Sequence, residues 1–228
     1  MNRIIAIPHR MRWFATLSVC LLSRTSGRAL RTGILLVITV PALGNDYSVV
    51  PQEFIYCTTC HGVELQGNRA VDAPRLNGME DWYVRNQLQA FREGWRGTHD
   101  DLIGMEMRPQ ATVLDADGVE EAAAFVASVP AGTSSNTATV DGNTTRGKQL
   151  YTTCAACHGN KGEGNSRLNA PGLRDQDDWY LVRQLENFRS GVRGGKPGDI
   201  YGSQMRASVG MLPDQDAIHD VVAYINSL

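Results

Sequence analysis

The chain has 228 residues, enough for two small domains of about 100 residues each. Hydrophobic residues make up 42% of the chain and charged residues 20%, values typical of globular domains that exclude a disordered chain or a membrane-embedded protein. From residue 45 onward, 16 basic and 24 acidic residues leave a net charge of -8, which disfavours nucleic-acid binding and favours partner proteins with a basic docking surface.

The first 44 residues have the pattern of a secretory signal peptide. They contain six arginines and no acidic residue, an apolar run from Ile34 to Val40, and small residues at Ala42 and Gly44. We therefore expect cleavage near Gly44, removal of Cys20 with the leader, and export to the periplasm. An uncleaved leader that associates with the membrane is the alternative, although its apolar runs are shorter than the roughly 20 residues of a membrane span.

The rest of the chain is an internal duplication with an offset of 97 residues. Its strongest signal is a pair of matching arrays, Cys57-Thr58-Thr59-Cys60-His61 and Cys154-Ala155-Ala156-Cys157-His158. The repeat predicts a first domain over residues 45–130 and a second over residues 146–228. Residues 131–145 between them are rich in Thr, Ser, Asn and Gly, which indicates a linker.

Each copy contains helical patterns and no strand-like alternation. In the first copy Trp82, Leu88 and Phe91 fall near helical spacing, and the second copy repeats them 97 residues later. Asp81 and Asp178 are placed to cap these helices. Closing helices are expected over Val119 to Val129 and Ala217 to Leu228, so the predicted fold is all-α, with two tandem helical domains.

The Cys-x-x-Cys-His array predicts covalent haem attachment. Two thiols separated by two residues match the two vinyl groups of a haem, and the next residue supplies an imidazole for the iron. Zinc requires four ligands, and neither copy offers a further cysteine. A thioredoxin-like redox pair has no need of the histidine, and a disulfide is the remaining alternative. We therefore expect two haem c groups, bound by Cys57, Cys60, Cys154 and Cys157.

His61 and His158 are the predicted proximal iron ligands, and methionines are the expected distal ones. Met107 and Met205 align between the copies, each seven residues before a leucine. Met105 is the competitor in the first copy. His99 and His219 have no counterpart in the other copy, so they are interpreted as surface or structural residues.

Two repeated features could support the iron ligands. Pro74 and Pro171 each follow the proximal histidine by thirteen residues and could present a carbonyl to its second ring nitrogen, although a proline that only shapes a loop is an equal alternative. Three repeated arginine pairs are candidates to bind haem propionates, with solvated surface residues as the alternative. They are Arg92/Arg189, Arg96/Arg193 and Arg108/Arg206.

On these motifs the chain resembles class I cytochromes c, and its duplication resembles the diheme cytochrome c4 family. The resemblance spans about Tyr47 to Leu228. It implies a small helical bundle around each haem, His/Met ligation, and a proline carbonyl that accepts a hydrogen bond from the proximal imidazole. It also implies a periplasmic carrier between a quinol-oxidising complex or dehydrogenase and a terminal oxidase or reductase. The segment from Asp81 to Gly104 is more elaborate than in the simplest members.

Three functional hypotheses follow. The first is a diheme electron carrier that is not itself an enzyme. The second is the cytochrome subunit of a larger redox enzyme, such as a flavocytochrome sulfide dehydrogenase or an oxidase. The third is a diheme haem enzyme, which the two aligned methionines disfavour because a catalytic iron usually has an open position.

Overall fold

The computed structural model describes residues 50–98, 100–132 and 138–228, all within one compact unit, Ser48–Leu228. The predicted signal peptide with Cys20, residue His99 and positions 133–137 of the predicted linker lie outside the described residues. Within the described ranges the secondary structure is helical, with two isolated β-bridges and no strand. The predicted all-α fold is confirmed.

Among its described residues the first domain has four α-helices: α1 (Ile55–His61), α2 (Asp81–Arg92), α3 (Gly104–Thr112) and α4 (Ala116–Ser128). Helix α2 packs against both α3 and α4. The core formed by this packing has a fully buried leucine at its centre, contributed by the loop after α1. Its buried members are Leu65, Val84, Ala123 and Val126.

The second domain repeats this order with α5 (Thr144–His158), α6 (Asp178–Ser190), α7 (Ile200–Val209) and α8 (Gln215–Ile225). Helix α5 is much longer than α1 and packs along α8, which also contacts α6. The buried core members are Tyr151, Leu181, Val221, Val222 and Ile225. The segments that contain Met107 and Met205, for which the sequence predicted no helix, are the helices α3 and α7.

The helix starts differ from the predicted capping. Asp81 and Asp178 are the first residues of α2 and α6 rather than their caps, because Glu80 and Asp177 hold the extended backbone conformation of the N-cap position. The closing helices do have aspartate caps: Asp115 accepts a hydrogen bond from the Gly118 amide (2.8 Å), and Asp214 accepts one from the Ala217 amide (2.7 Å). These aspartates satisfy amides that the helix itself leaves free.

The end of the predicted linker is bound to the second domain. Asp178, which is buried, accepts hydrogen bonds from the hydroxyl of Thr139 and the amide of Val140, both at 2.8 Å. Helix α5 begins at Thr144, so the last two residues of the predicted linker are helical. In the part of the chain that the structure describes, none of the helices combines the length and apolarity that crossing a membrane requires.

Candidate functional site

The two Cys-x-x-Cys-His arrays occupy the carboxyl ends of α1 and α5. In a helix, positions i, i+3 and i+4 share one face, so Cys57, Cys60 and His61 lie together, as do the corresponding residues of α5. Each helix ends at the histidine because the next residue, Gly62 or Gly159, has a positive φ of 85° or 82° that favours glycine. Both histidines are buried.

Each predicted proximal histidine is held by a proline carbonyl. The Nδ1 atom of His61 lies 2.7 Å from the Pro74 oxygen, and that of His158 lies 2.8 Å from the Pro171 oxygen. A carbonyl can only accept a hydrogen bond, so each Nδ1 carries the proton and each Nε2 has a free lone pair. Burial lowers the pKa of both histidines, and the bond to the carbonyl only partly opposes this. Both imidazoles are therefore neutral, as an iron ligand must be.

The residues present fit a covalently attached haem. The Nε2 atom of His61 is buried and has no hydrogen-bond partner among the described residues. A buried polar atom without a partner destabilises the fold, so another group is expected to bind it. Burial raises the pKa of the Cys57 and Cys154 thiols, which favours the uncharged sulfur. An uncharged thioether suits this environment better than the thiolate that zinc would need.

The predicted distal methionines lie on the third helix of each domain. Met107 on α3 and Met205 on α7 are both half-buried, whereas Met105 is 42% exposed. Two residues correspond to about 200° around a helix, so Met105 and Met107 face opposite sides of α3. Only one of them can serve a site on a given side of this helix, and the more buried Met107 stays the predicted ligand.

The interface between the two domains contains a cluster of repeated polar residues. The Arg96 and Arg193 side chains are buried, and each donates to the glutamine of its own α2 or α6 at 2.7 Å. Each also reaches across: Arg193 donates to Gln87 (3.0 Å), and Arg96 donates to Gln184 (3.3 Å). Tyr180 accepts a further bond from Arg96 at 3.3 Å.

This cluster leaves two buried positive charges close together. Burial and the charge of Arg96 lower the pKa of Arg193. Neither guanidinium forms an ion pair with a carboxylate among residues 50–98, 100–132 and 138–228. Their environment suits a buried anionic group, so haem propionates stay the predicted partners of this pair. Arg108, Arg189 and Arg206 are exposed, which leaves them less suited to that role.

The sequence contains a signal for this interface in its matched polar residues. Gln87 and Gln184 are matched polar residues on one face of α2 and α6, four positions after the matched Tyr83 and Tyr180. An identical polar stripe in both copies is typical of a surface through which the copies contact each other.

A family model described as cytochrome c matches residues 54–130 and again residues 144–228. The chain is 32% identical over 160 residues to the thiosulfate dehydrogenase electron acceptor of Stutzerimonas stutzeri, covering 66% of the chain and 71% of that relative. It is 32% identical over 150 residues to the cbb3-type cytochrome c oxidase subunit FixPc of Rhizobium leguminosarum bv. viciae, covering 60% of the chain and half of that relative. The crystal structure of reduced recombinant cytochrome c4 from Pseudomonas stutzeri superimposes with a TM-score of 0.62 at 26% identity, covering 80% of the chain and 98% of that structure.

Proposed function

Because this chain belongs to the cytochrome c family and carries electrons on two haem c groups, we propose that it works in the periplasm between a respiratory donor and a terminal acceptor. The donor would be a respiratory complex or a dehydrogenase, and the acceptor an oxidase or a reductase. The predicted signal peptide supports the location. The similarity to a protein named as an electron acceptor supports the role of a carrier that receives electrons from a separate enzyme.

The same set of residue types in each domain would hold one haem. Cys57 and Cys60 would form the two thioether bonds in the first domain, and His61 Nε2 and the Met107 sulfur would bind the iron. In the second domain Cys154 and Cys157 would form these bonds, with His158 and Met205 as ligands. When bound, each haem supplies an iron that exchanges one electron between its ferric and ferrous states.

The observation that carries this proposal is the orientation of the two proximal imidazoles. In both domains the histidine is buried at the end of a helix, and a proline carbonyl holds its Nδ1. Orientation by a second group fixes the ligand before and after each electron transfer, so that little rearrangement accompanies a change of redox state. Two sites of this kind suit a carrier in which His61 and His158 would stay bound to their irons in both redox states.

Partner binding would use charge and exposed apolar side chains together. The net charge of -8 from residue 45 onward favours basic partners, and this attraction weakens as salt is added. Leu102 and Ile103 just before α3, and Ile200 and Tyr201 at the start of α7, are exposed. They lie close in sequence to the predicted methionine ligands, so we expect contacts with partners near the same helices.

A second candidate function is a cytochrome subunit of a larger enzyme. The similarity to an oxidase subunit favours it, although the chain spans only half of that relative. A subunit would copurify with its enzyme at salt concentrations that dissociate a carrier held by surface charge. Purification of the native protein at low and high salt therefore distinguishes the two candidates.

Intact mass and spectroscopy of the ferric protein test the carrier proposal. We expect a chain that begins near Asn45, two covalently added haems, and a low-spin methionine-ligated signature from each. A high-spin haem in the resting protein would contradict the proposal and favour a haem enzyme.

The distal ligands are tested by matched variants on α3. Replacing Met107 by alanine should abolish the methionine-ligated signature of one haem, because its sulfur is the proposed ligand. Met105→Ala should leave both signatures intact, since Met105 lies on the opposite side of α3 from Met107. The reverse pattern would exchange the two assignments.

A further inference from the structure

A residue of the second domain binds the peptide group that holds the first domain's proximal histidine. The carbonyl of Pro74 accepts the hydrogen bond from His61 Nδ1 at 2.7 Å. The amide N–H of Arg75 donates to the Asp177 carboxylate at 2.9 Å. These two groups belong to one planar peptide unit, whose C–N bond has partial double-bond character. His61 and Asp177 are thus linked through a single conjugated amide.

Asp177 is positioned for this contact. Its amide donates to the side-chain oxygen of Gln176 at 2.9 Å, and the Gln176 amide group donates to the Arg75 carbonyl at 3.1 Å. The carboxylate also approaches the backbone of Gly67 so closely that a Cβ there would lie 2.9 Å from its oxygen. Glycine at this position, with a φ of 88°, leaves room for the carboxylate.

Burial makes the contact electrostatically effective. His61 is 3% exposed, Arg75 4% and Asp177 9%, so the direct hydrogen bond between Arg75 and Asp177 is shielded from bulk solvent. A carboxylate that accepts the amide N–H draws electron density toward the carbonyl oxygen of the same peptide and strengthens that oxygen as an acceptor. A stronger acceptor at Nδ1 makes Nε2 more basic, which favours the ferric state of a bound iron.

We propose that Asp177, from the second domain, lowers the reduction potential of the first domain's haem through the Pro74–Arg75 peptide. Asp177 acts here as a positioning and tuning residue and touches no reacting atom. The inference rests on the proposed function because it takes His61 as the iron ligand.

The second domain lacks this arrangement. At the repeat offset of 97, Arg75 corresponds to Gly172 and Asp177 corresponds to Glu80. Within the described ranges, no hydrogen bond joins Glu80 to Gly172, although Pro171 still accepts from His158. The two proline peptides therefore differ in whether their N–H donates to a carboxylate of the other domain, and this contact acts on the first haem alone.

The test is Asp177→Asn in the full-length, haem-loaded chain, with both potentials measured by spectroelectrochemistry and assigned by NMR. Asparagine keeps the size of the side chain and removes its charge. At a fixed ambient potential the ferrous-to-ferric ratio of the first haem should rise about threefold, equivalent to about 30 mV at 59 mV per tenfold. The second haem should be unchanged, and the His61 Nδ1 proton should exchange faster with solvent because its hydrogen bond is weaker.

Two control variants separate this effect from a loosened interface or a remote charge. Asn86→Ala removes a neutral cross-domain hydrogen bond to Asn169 (3.1 Å), and Glu80→Gln removes the equivalent charge in the first domain. Neither should move the first haem's potential.

An unchanged first potential in Asp177→Asn would overturn the proposal, as would equal shifts of both haems or the same shift in Asn86→Ala. A shifted potential with unchanged exchange of the Nδ1 proton would also overturn it, because the charge would then act through space. These failures are distinct from failure of the proposed function, which would appear in the unmodified protein as missing His/Met signatures.

Discussion

In the first domain the proximal histidine ends a helix of seven residues, whereas in the second it ends a helix of 15 residues. The contacts of His61 and His158 nevertheless agree, at 2.7 and 2.8 Å from their prolines. The helix length therefore does not set this geometry. The short segment from the first cysteine to the proline, which is alike in both copies, is sufficient.

The domains differ instead in the hydrogen bonds that attach the segments at their ends. Buried Asp220 on α8 accepts hydrogen bonds from the Asn143 amide (2.6 Å) and the Arg146 guanidinium (2.9 Å), which bind the start of α5. Asp178 binds the linker, while its equivalent in the first domain, Asp81, has a side chain that is 56% exposed and pairs with Arg85. The two copies therefore share the geometry of the histidine and its proline carbonyl, and they differ in how the ends of each domain are attached.

The largest expected effect concerns the contact between α5 and α8. A Cβ on Gly147 would lie 1.9 Å from the backbone oxygen of Asp220, so Gly147→Ala must separate these helices. We expect a loss of about 3 kcal/mol of unfolding free energy, the upper range for overpacking, confined to the second domain. Hydrogen exchange of α8 amides compared with α4 amides measures it. Gly132→Ala, with its nearest neighbour 3.5 Å away, is the control and should change neither.

An intermediate effect is expected for the buried carboxylate that binds the linker. Burial raises the pKa of Asp178, but hydrogen bonds from Thr139, Val140 and the Trp179 amide outweigh burial, and the net pKa is lowered. A lowered folded-state pKa stabilises the fold above the unfolded value of about 3.9, and this stabilisation is lost as the pH falls through the folded value. Asp178→Asn should cost about 2 kcal/mol at neutral pH.

The pH dependence identifies the source of that cost. The difference between Asp178→Asn and the unmodified chain should shrink when denaturant unfolding is repeated below about pH 4. Asp81→Asn at the exposed equivalent position should cost less than about 0.5 kcal/mol at any pH. A cost for Asp178→Asn that does not vary with pH would show that charge is not the reason.

The smallest effect is expected when Tyr151 of the second domain is replaced by phenylalanine, the residue at the equivalent position of the first domain. The Tyr151 ring packs against Tyr224 at a tilt of 59°, whereas Phe54 stacks on Phe125. The Tyr151 hydroxyl also donates to the Gly159 carbonyl at 2.9 Å. Tyr151→Phe should cost about 1 kcal/mol, the net value of one hydrogen bond. Burial raises the pKa of Tyr151 to about 12, so titration of its absorbance confirms that the phenol is protected. Tyr56→Phe, an exposed position, should be neutral.

The all-α fold and the positions of the two candidate haem sites could be predicted from the sequence, because the motifs that indicate them involve residues close together in the chain. The Cys-x-x-Cys-His arrays, the prolines thirteen residues later and the spacing of Trp82, Leu88 and Phe91 each reflect contacts within one copy, and the repeat supplied every observation twice. The N-caps of α2 and α6 lie one residue before the predicted positions. The residue that takes the N-cap position is decided by its backbone conformation, which the spacing of side chains does not fix.

The contact between Asp177 and Arg75 could not be predicted in this way. It joins residues 102 positions apart, and neither residue is matched in the other copy. A search for similarity between the copies discards such positions, although the positions where duplicated domains differ are those where one copy can be tuned independently. The helical structure of the methionine segments was also missed, because Gly104 and Pro109 weaken the helical pattern in α3.

The bound end of the linker has a practical consequence for domain grafting. Thr139, Val140 and Asn143 precede α5 in the chain, yet their hydrogen bonds go to α6 and α8. A transplanted second module that starts at Thr144 would leave Asp178 and Asp220 without these donors. The transferable unit therefore starts no later than Thr139, and a junction to a foreign protein belongs before that residue.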